Sequence, residues 1–156
     1  MEGALYLGRD EKETVLASLE AMPDEPLARI LASYEALNRR DCDATVAVLA
    51  EDVVWRESPE LPDAGEIRGR KAVWDFLDQF LESWEEFEQE VEETDVVGER
   101  VAIFLHMTGI GQESGVHVNT RYAHVWTVRG GEAVRVDAYR DPGEARRALD
   151  RPASEP

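Results

Sequence analysis

The sequence predicts an α+β domain, with helices packed on one face of a curved antiparallel sheet. Three observations lead there. A chain of 156 residues makes about one domain. Its first half places apolar residues at helical spacing, whereas its second half alternates them or runs them together between turns. The helices come first and the strands follow as a meander, an order that suits helices stacked on one side of a sheet.

Residues 1–24 read as an N-terminal extension, in which Asp10 to Met22 can form a short helix that Pro23 and Pro26 separate from the rest. Leu27, Ile30, Leu31, Tyr34 and Leu37 share one face of a helix over Leu27–Asn38. Asp43 can cap a second helix, Ala44–Ala50, that turns Val46 and Leu49 inward. Val53–Glu57 reads as a strand, ended by a loop from Ser58 to Gly69 whose length suits a functional cover or a flexible segment. Arg70–Trp84 carries a broad apolar stripe of Val73, Phe76, Leu77, Phe80, Leu81 and Trp84. Four strands follow, over Glu86–Val97, Arg100–Ile110, Val118–Arg129 and Glu132–Tyr139, the last two joined by a tight Gly130-Gly131 turn. Asp141-Pro142 sets a capping residue before a proline at the first helical position and opens a helix to about Leu149. The domain thus spans residues 25–149, and 150–156 read as a disordered tail.

Composition narrows the partners. The chain has 34 acidic and 17 basic residues, a formal net charge of −17, and a pI near 4.5. Such a surface repels phosphate backbones and anionic headgroups, so nucleic acid and membranes are excluded as expected partners. Cys42 stands alone and no apolar run suits a signal or a membrane span, which together point to the cytoplasm. No metal site is expected, because His106, His117 and His124 fall on different faces or in a loop. No cofactor is expected either: Gly109, Gly111 and Gly115 lack the Lys-Ser/Thr of a phosphate loop. The eight acids between Glu82 and Asp95 straddle a helix end and a strand, and read as a solvated face.

Strand periodicity gives two faces. One holds Val101, Ile103, Leu105 and Met107, the other Ala102, Phe104, His106 and Thr108; in the next strand Tyr122, His124, Trp126 and Val128 alternate with Arg121, Ala123, Val125 and Thr127. Both faces are largely apolar, and three helices can cover only one. The second face therefore predicts a homodimer, with Tyr122, His124, Trp126 and Tyr139 as the interface. The small residues Ala102, Ala123, Thr127 and Ala138, beside the isolated polar groups His106 and Arg121, mark the other face as the site of a pocket.

The stretch Tyr34 to Asp41, then Ala50-Glu51-Asp52-Val53-Val54-Trp55, Ile67-Arg68-Gly69, His124-Val125-Trp126-Thr127, Gly130-Gly131 and Val134-Arg135-Val136, resembles the nuclear transport factor 2-like superfamily and, within it, the SnoaL-like proteins. The resemblance covers residues 27–149 and rests on pattern and order. It implies a cone-shaped α+β barrel in which a bent sheet wraps three N-terminal helices, a pocket opens on the concave side and dimers form through the convex side. It also implies a choice among isomerases, cyclases, hydrolases, dehydratases and binding domains, since fold alone does not give function. Glu57 falls where the ketosteroid isomerases carry their base. Ser33 falls on their helix tyrosine, with Tyr34 one residue off, and Ala123 on their second oxyanion donor. The polyketide cyclases' histidine and acid-base aspartate fall on Ala123 and Ala138. Both chemistries are disfavoured in their usual form.

Glu57, His106 and Arg121 remain as polar groups for the pocket. A carboxylate and an imidazole in an apolar cavity can serve as base and acid, because burial moves both toward neutrality. Tyr34, Trp55, Phe76, Phe80, Phe104, Ala123 and Val125 join Arg121 as ligand-lining candidates. One reading is a cofactor-independent lyase, isomerase or hydrolase acting on a small apolar or aromatic metabolite, with Glu57 as base, His106 as acid and Arg121 as anion contact. The other is a non-catalytic small-ligand binding domain, in which Glu57 and Arg121 form a buried ion pair.

Overall fold

The computed structural model describes residues 24–58 and 65–151. The helix expected over Asp10–Met22, the 59–64 part of the long loop and the tail beyond 151 lie outside them. Helix α1 covers Asp24–Asn38, α2 Cys42–Val46, α3 Arg70–Glu82 and α4 Pro142–Asp150; strands are β1 Leu49–Arg56, β2 Glu66–Arg68, β3 Trp84–Val97, β4 Arg100–Gly111, β5 His117–Arg129 and β6 Glu132–Tyr139. The fold is α+β, as expected. Among the described residues one six-stranded sheet runs β2-β1-β6-β5-β4-β3 and stays open, with β2 and β3 at the edges, so the expected barrel is not closed.

Two departures from the expected meander matter. The sheet is mixed rather than antiparallel, because β1 lies parallel to β6, with Trp55 beside Val136. The loop from Ser58 to Gly69 contains β2, which pairs with β1 through Val54–Arg68, Trp55–Ile67 and Arg56–Glu66. Shorter shifts have local causes. Asp41, not Asp43, caps α2 by accepting from the Ala44 N–H, and Leu49 and Ala50 belong to β1. Asp141 accepts from the Gly143 N–H and Pro142 opens α4, as the capping signal requires.

Packing follows from the faces. Leu27, Ile30, Tyr34 and Leu37 of α1 and Val73, Leu77 and Leu81 of α3 are buried against Val101, Ile103, Leu105, Trp126 and Val136 on the inner face of the sheet. On the outer face, Ala102, Phe104, Ala123 and Val125 form a second buried cluster with Ala145 and Leu149 of α4. The C-terminal helix supplies the cover that a second copy was expected to provide. The interface expected over Tyr122, His124 and Trp126 is overturned: these residues face inward, and His124 and Trp126 are only 7% and 3% exposed. Tyr139 does not share their face, because a register shift between Thr127 and Val128 sets it opposite Ala123 and sets Ala138 opposite His124. A slip of one residue exchanges the faces of a strand.

The acids of β3 do face solvent, since Glu85, Glu86, Glu88, Glu90, Glu92 and Glu93 are all exposed along this edge strand. Like charges along a sheet edge discourage pairing with another chain.

Candidate functional site

The inner face and helices α1 and α3 enclose a cavity of about 260 Å³, near the lower end of small-molecule sites at ~300–1,000 Å³. Tyr34 and Leu37 reach it from α1, Phe76, Leu77 and Phe80 from α3, and Trp55 and Glu57 from β1 and its end. Trp84, Phe87 and Gln89 come from β3, Met107 from β4, Tyr122, His124 and Trp126 from β5, and Ala138, Tyr139 and Arg140 from β6 and its exit. One wall is an aromatic cluster: Phe80 meets Phe87 edge-on at 5.5 Å and Trp84 at 5.9 Å between ring centroids. Gly109 makes this wall possible, because a Cβ there would lie 2.8 Å from the Trp84 ring and 2.7 Å from the Glu86 carbonyl.

The opposite wall is polar. The Trp126 indole N–H donates to the Tyr34 hydroxyl at 2.8 Å, and Tyr34 lies 2.7 Å from His124 Nδ1. An indole can only donate, so Tyr34 accepts from Trp126; with the Tyr34 hydroxyl proton directed to Nδ1, the arrangement in which every group of the chain is used once, the His124 proton is assigned to Nε2. Burial pushes the His124 pKa down to about 3, so the ring is neutral. It stacks on Tyr34 at 5.8 Å and meets Trp55 and Tyr122 edge-on at 5.2 and 5.4 Å. Burial also raises Tyr34, against the opposing pull of the Trp126 hydrogen bond.

Glu57 stands beside this relay. Its Oε1 accepts the Trp55 indole N–H at 2.8 Å. Burial raises its pKa, while that bond and the Ser58 backbone N–H pull the other way. Tyr122 is raised by its own burial and then by the Glu57 charge, and its hydroxyl donates to Gln89 Oε1. Asn38, at the end of α1, holds the Gln89 backbone with two bonds: it accepts the Gln89 N–H at 3.1 Å and donates to the Gln89 carbonyl at 3.0 Å. An outward-facing pair of groups on an edge strand is thereby satisfied, and the Gln89 side chain is fixed in the cavity wall.

The structure brings together Glu57, Tyr34, Trp55, Phe76 and Phe80 of the expected site. It does not bring His106, Phe104, Ala123 or Val125 to the cavity. His106 sits on the outer face, 2.7 Å from Asn119 Oδ1 and 3.9 Å from Glu92. Phe104 lies under the Arg146 guanidinium at 4.1 Å, and Ala123 and Val125 pack beneath α4. Arg121 borders the cavity, yet its guanidinium is held by both oxygens of Glu92 at 2.9 and 3.2 Å, so the expected pair with Glu57 does not form.

The reason for the inversion is steric. Small residues let α4 approach closely and leave no space, whereas bulky rings hold α1 and α3 off the sheet. Sequence reasoning missed His124, Tyr122, Trp126, Gln89 and Arg140 as cavity residues. The available signal was polarity, because the face that interleaves His106 and Arg121 with apolar residues is the one that meets solvent. Among the described residues no group of three or more His, Cys, Asp or Glu could hold a metal ion. No described helix is long and apolar enough to cross a membrane.

Known structures share this architecture. A nuclear transport factor 2-like protein of unknown function from Burkholderia pseudomallei is 25% identical, with a TM-score of 0.67 over 82% of this chain and 99% of that one. TerC, co-crystallised with polyporic acid, is 21% identical with a TM-score of 0.68, over 82% of this chain and all of its own. A Mycobacterium tuberculosis protein in complex with estradiol-17beta-hemisuccinate is 22% identical with a TM-score of 0.63, over 76% of this chain and 95% of that one. No curated protein matches the sequence. Residues 30–136 match the SnoaL-like domain, most of the folded chain, and the protein belongs to that family.

Proposed function

We propose that the protein binds a small, largely apolar carbonyl compound and moves a proton on it, as an isomerase or lyase in the cytoplasm, with Glu57 as the base and His124 in the role expected of His106. The observation that carries this reading is the pairing of a half-buried carboxyl of raised pKa with a neutral imidazole in one largely apolar cavity. Ionised Glu57 takes the proton from a carbon next to the carbonyl. The Nε2–H of His124, with Nδ1 fed by Tyr34 and Trp126, donates to the carbonyl oxygen as negative charge builds there. The proton then returns from Glu57 to a different carbon, or leaves with a departing group. A donor placed for such charge is worth ~2.7–4 kcal/mol of barrier. Small molecules bound by TerC and by the mycobacterial protein support the ligand-binding half of the proposal.

A second reading, a binding domain without catalysis, draws on the saturation of the polar groups: the Tyr34, Trp126 and Trp55 polar groups already bond to one another, to His124 or to Glu57. Exchange of α-protons in deuterium oxide separates the two, using α-tetralone as a probe followed by NMR. The wild type is expected to accelerate exchange, and Glu57→Gln to lose ~10²–10⁴-fold of that acceleration while still binding the probe. Exchange at the wild-type rate in Glu57→Gln removes Glu57 as base. A wild type that binds α-tetralone without accelerating exchange leaves the binding domain.

A further inference from the structure

In a chain with 17 basic residues against 34 acidic ones, a cation without a partner is unusual. Among the described residues, each arginine other than Arg140 and Arg151 has its guanidinium within ion-pair or hydrogen-bond reach of a carboxylate or a backbone carbonyl, and Arg151 lies beyond α4, away from the cavity lining. Arg140 has neither among the described residues, is exposed, and follows the last residue of β6 at the border of the cavity. The other arginine on that border, Arg121, is occupied by Glu92. Deeper in, the charged group is Glu57, itself anionic when ionised, so an anion cannot be accommodated beside it without repulsion. The cavity thus joins an apolar interior to one unengaged guanidinium at its edge.

We infer that Arg140 binds a carboxylate on the ligand, which is therefore an amphiphilic acid: an apolar body enclosed by the aromatic wall and a carboxylate tail kept at the rim. Guanidinium and carboxylate fit each other through two parallel N–H···O bonds. The long-range field of the protein repels anions, but charges further than about 8 Å away are largely screened at physiological salt, so a contact at the rim is decided locally. This inference rests on the cavity being a ligand site, as proposed above, and adds the charge of the ligand and the residue that reads it.

Calorimetric titration with naphthylbutanoate and with its primary amide tests it, because the two probes share an apolar body and differ by one charge. Wild-type protein is expected to bind the acid at least roughly fivefold more tightly than the amide. Arg140→Gln is expected to remove that preference by weakening the acid alone, and Arg140→Lys to keep part of it. Equal affinity of the wild type for both probes, an unchanged acid affinity in Arg140→Gln, or an equal loss for both probes overturns the role of Arg140 and leaves the cavity reading intact. Failure of the wild type to bind either probe overturns the cavity reading, and this inference with it.

Discussion

The two faces of the sheet are both apolar, yet one is sealed and the other holds a cavity. On the outer face the contact residues Ala102, Ala123 and Ala145 are small, so α4 comes close enough for Phe104, Val125 and Leu149 to fill what remains. Between the inner face and α3, Trp55, Trp126 and Trp84 of the sheet and Phe80 of the helix are too bulky and too rigid to interlock fully, and space of about 260 Å³ survives between them. Large side chains made the pocket by propping elements apart, and small ones abolished it by letting a helix settle. Close packing is the default of protein interiors, so a persistent gap marks a place where shape was spent on something other than stability.

The largest expected effect breaks the sealed face. Leu149 is 1% exposed, at the core of the outer cluster. Leu149→Ala should cost ~2–5 kcal/mol of folding stability, read from urea unfolding, since truncating a fully buried leucine leaves a gap that its neighbours fill only in part. Probe affinity at the inner cavity should stay as in the wild type at temperatures where the variant is folded. If affinity falls in step with stability, the two faces are one cooperative unit and the division drawn between them fails.

A smaller effect concerns charge. His124 is buried neutral, with its pKa lowered from 6.5 to about 3, and the groups around it are Tyr34 of α1, Tyr122 of β5, and Trp55 and Glu57 at β1. The unfolded chain takes up a proton below pH 6.5 that the folded chain refuses. Stability from this residue is therefore complete above that pH and is lost at about 1.4 kcal/mol per pH unit as the pH falls toward 3. Glu57 has the opposite sign: its pKa is raised above 4.5, so its contribution is present at low pH and declines as the pH rises through its folded value. Unfolding of the wild type and of His124→Gln, compared at pH 6.5 and pH 5, should show the wild type losing ~2 kcal/mol more. Equal slopes would mean that the imidazole is not held neutral.

How much of this was legible depends on the range of the interactions involved. The Asp141-Pro142 signal, the stripe on α3 and the Gly130-Gly131 turn are local and stood in the sequence. Alternation sorted β4 and β5 correctly into two sets, but local pattern does not say which set faces the helices, and α4 was recognised as a helix without a place to dock. The parallel pairing of β1 with β6 joins Trp55 to Val136 across 81 positions, beyond any periodicity. The family resemblance falls one residue short of the cavity on β5. On α1 the matched position Ser33 and its neighbour Tyr34 both line the cavity, whereas on β5 the matched Ala123 packs beneath α4 and its neighbour His124 lines the cavity, because in a strand one residue is the difference between the two faces.

The smallest effect is the most direct comparison of sequence expectation with structure. Arg121 and Arg140 both border the cavity, and from sequence Arg121 was the anion contact. Its guanidinium is committed to Glu92 on the outer side, in an ion pair whose side chains are 58% and 37% exposed. Exposed pairs of this kind contribute little to stability, and the Glu92 carboxylate already offsets the Arg121 charge that a ligand carboxylate would seek. Arg121→Gln should therefore leave both the melting temperature and the affinity for naphthylbutanoate where they are in the wild type, in contrast to Arg140→Gln. A loss of acid affinity in Arg121→Gln would show that Glu92 releases the guanidinium when ligand arrives, and would return the anion contact to the outer strand position from which the structure removes it.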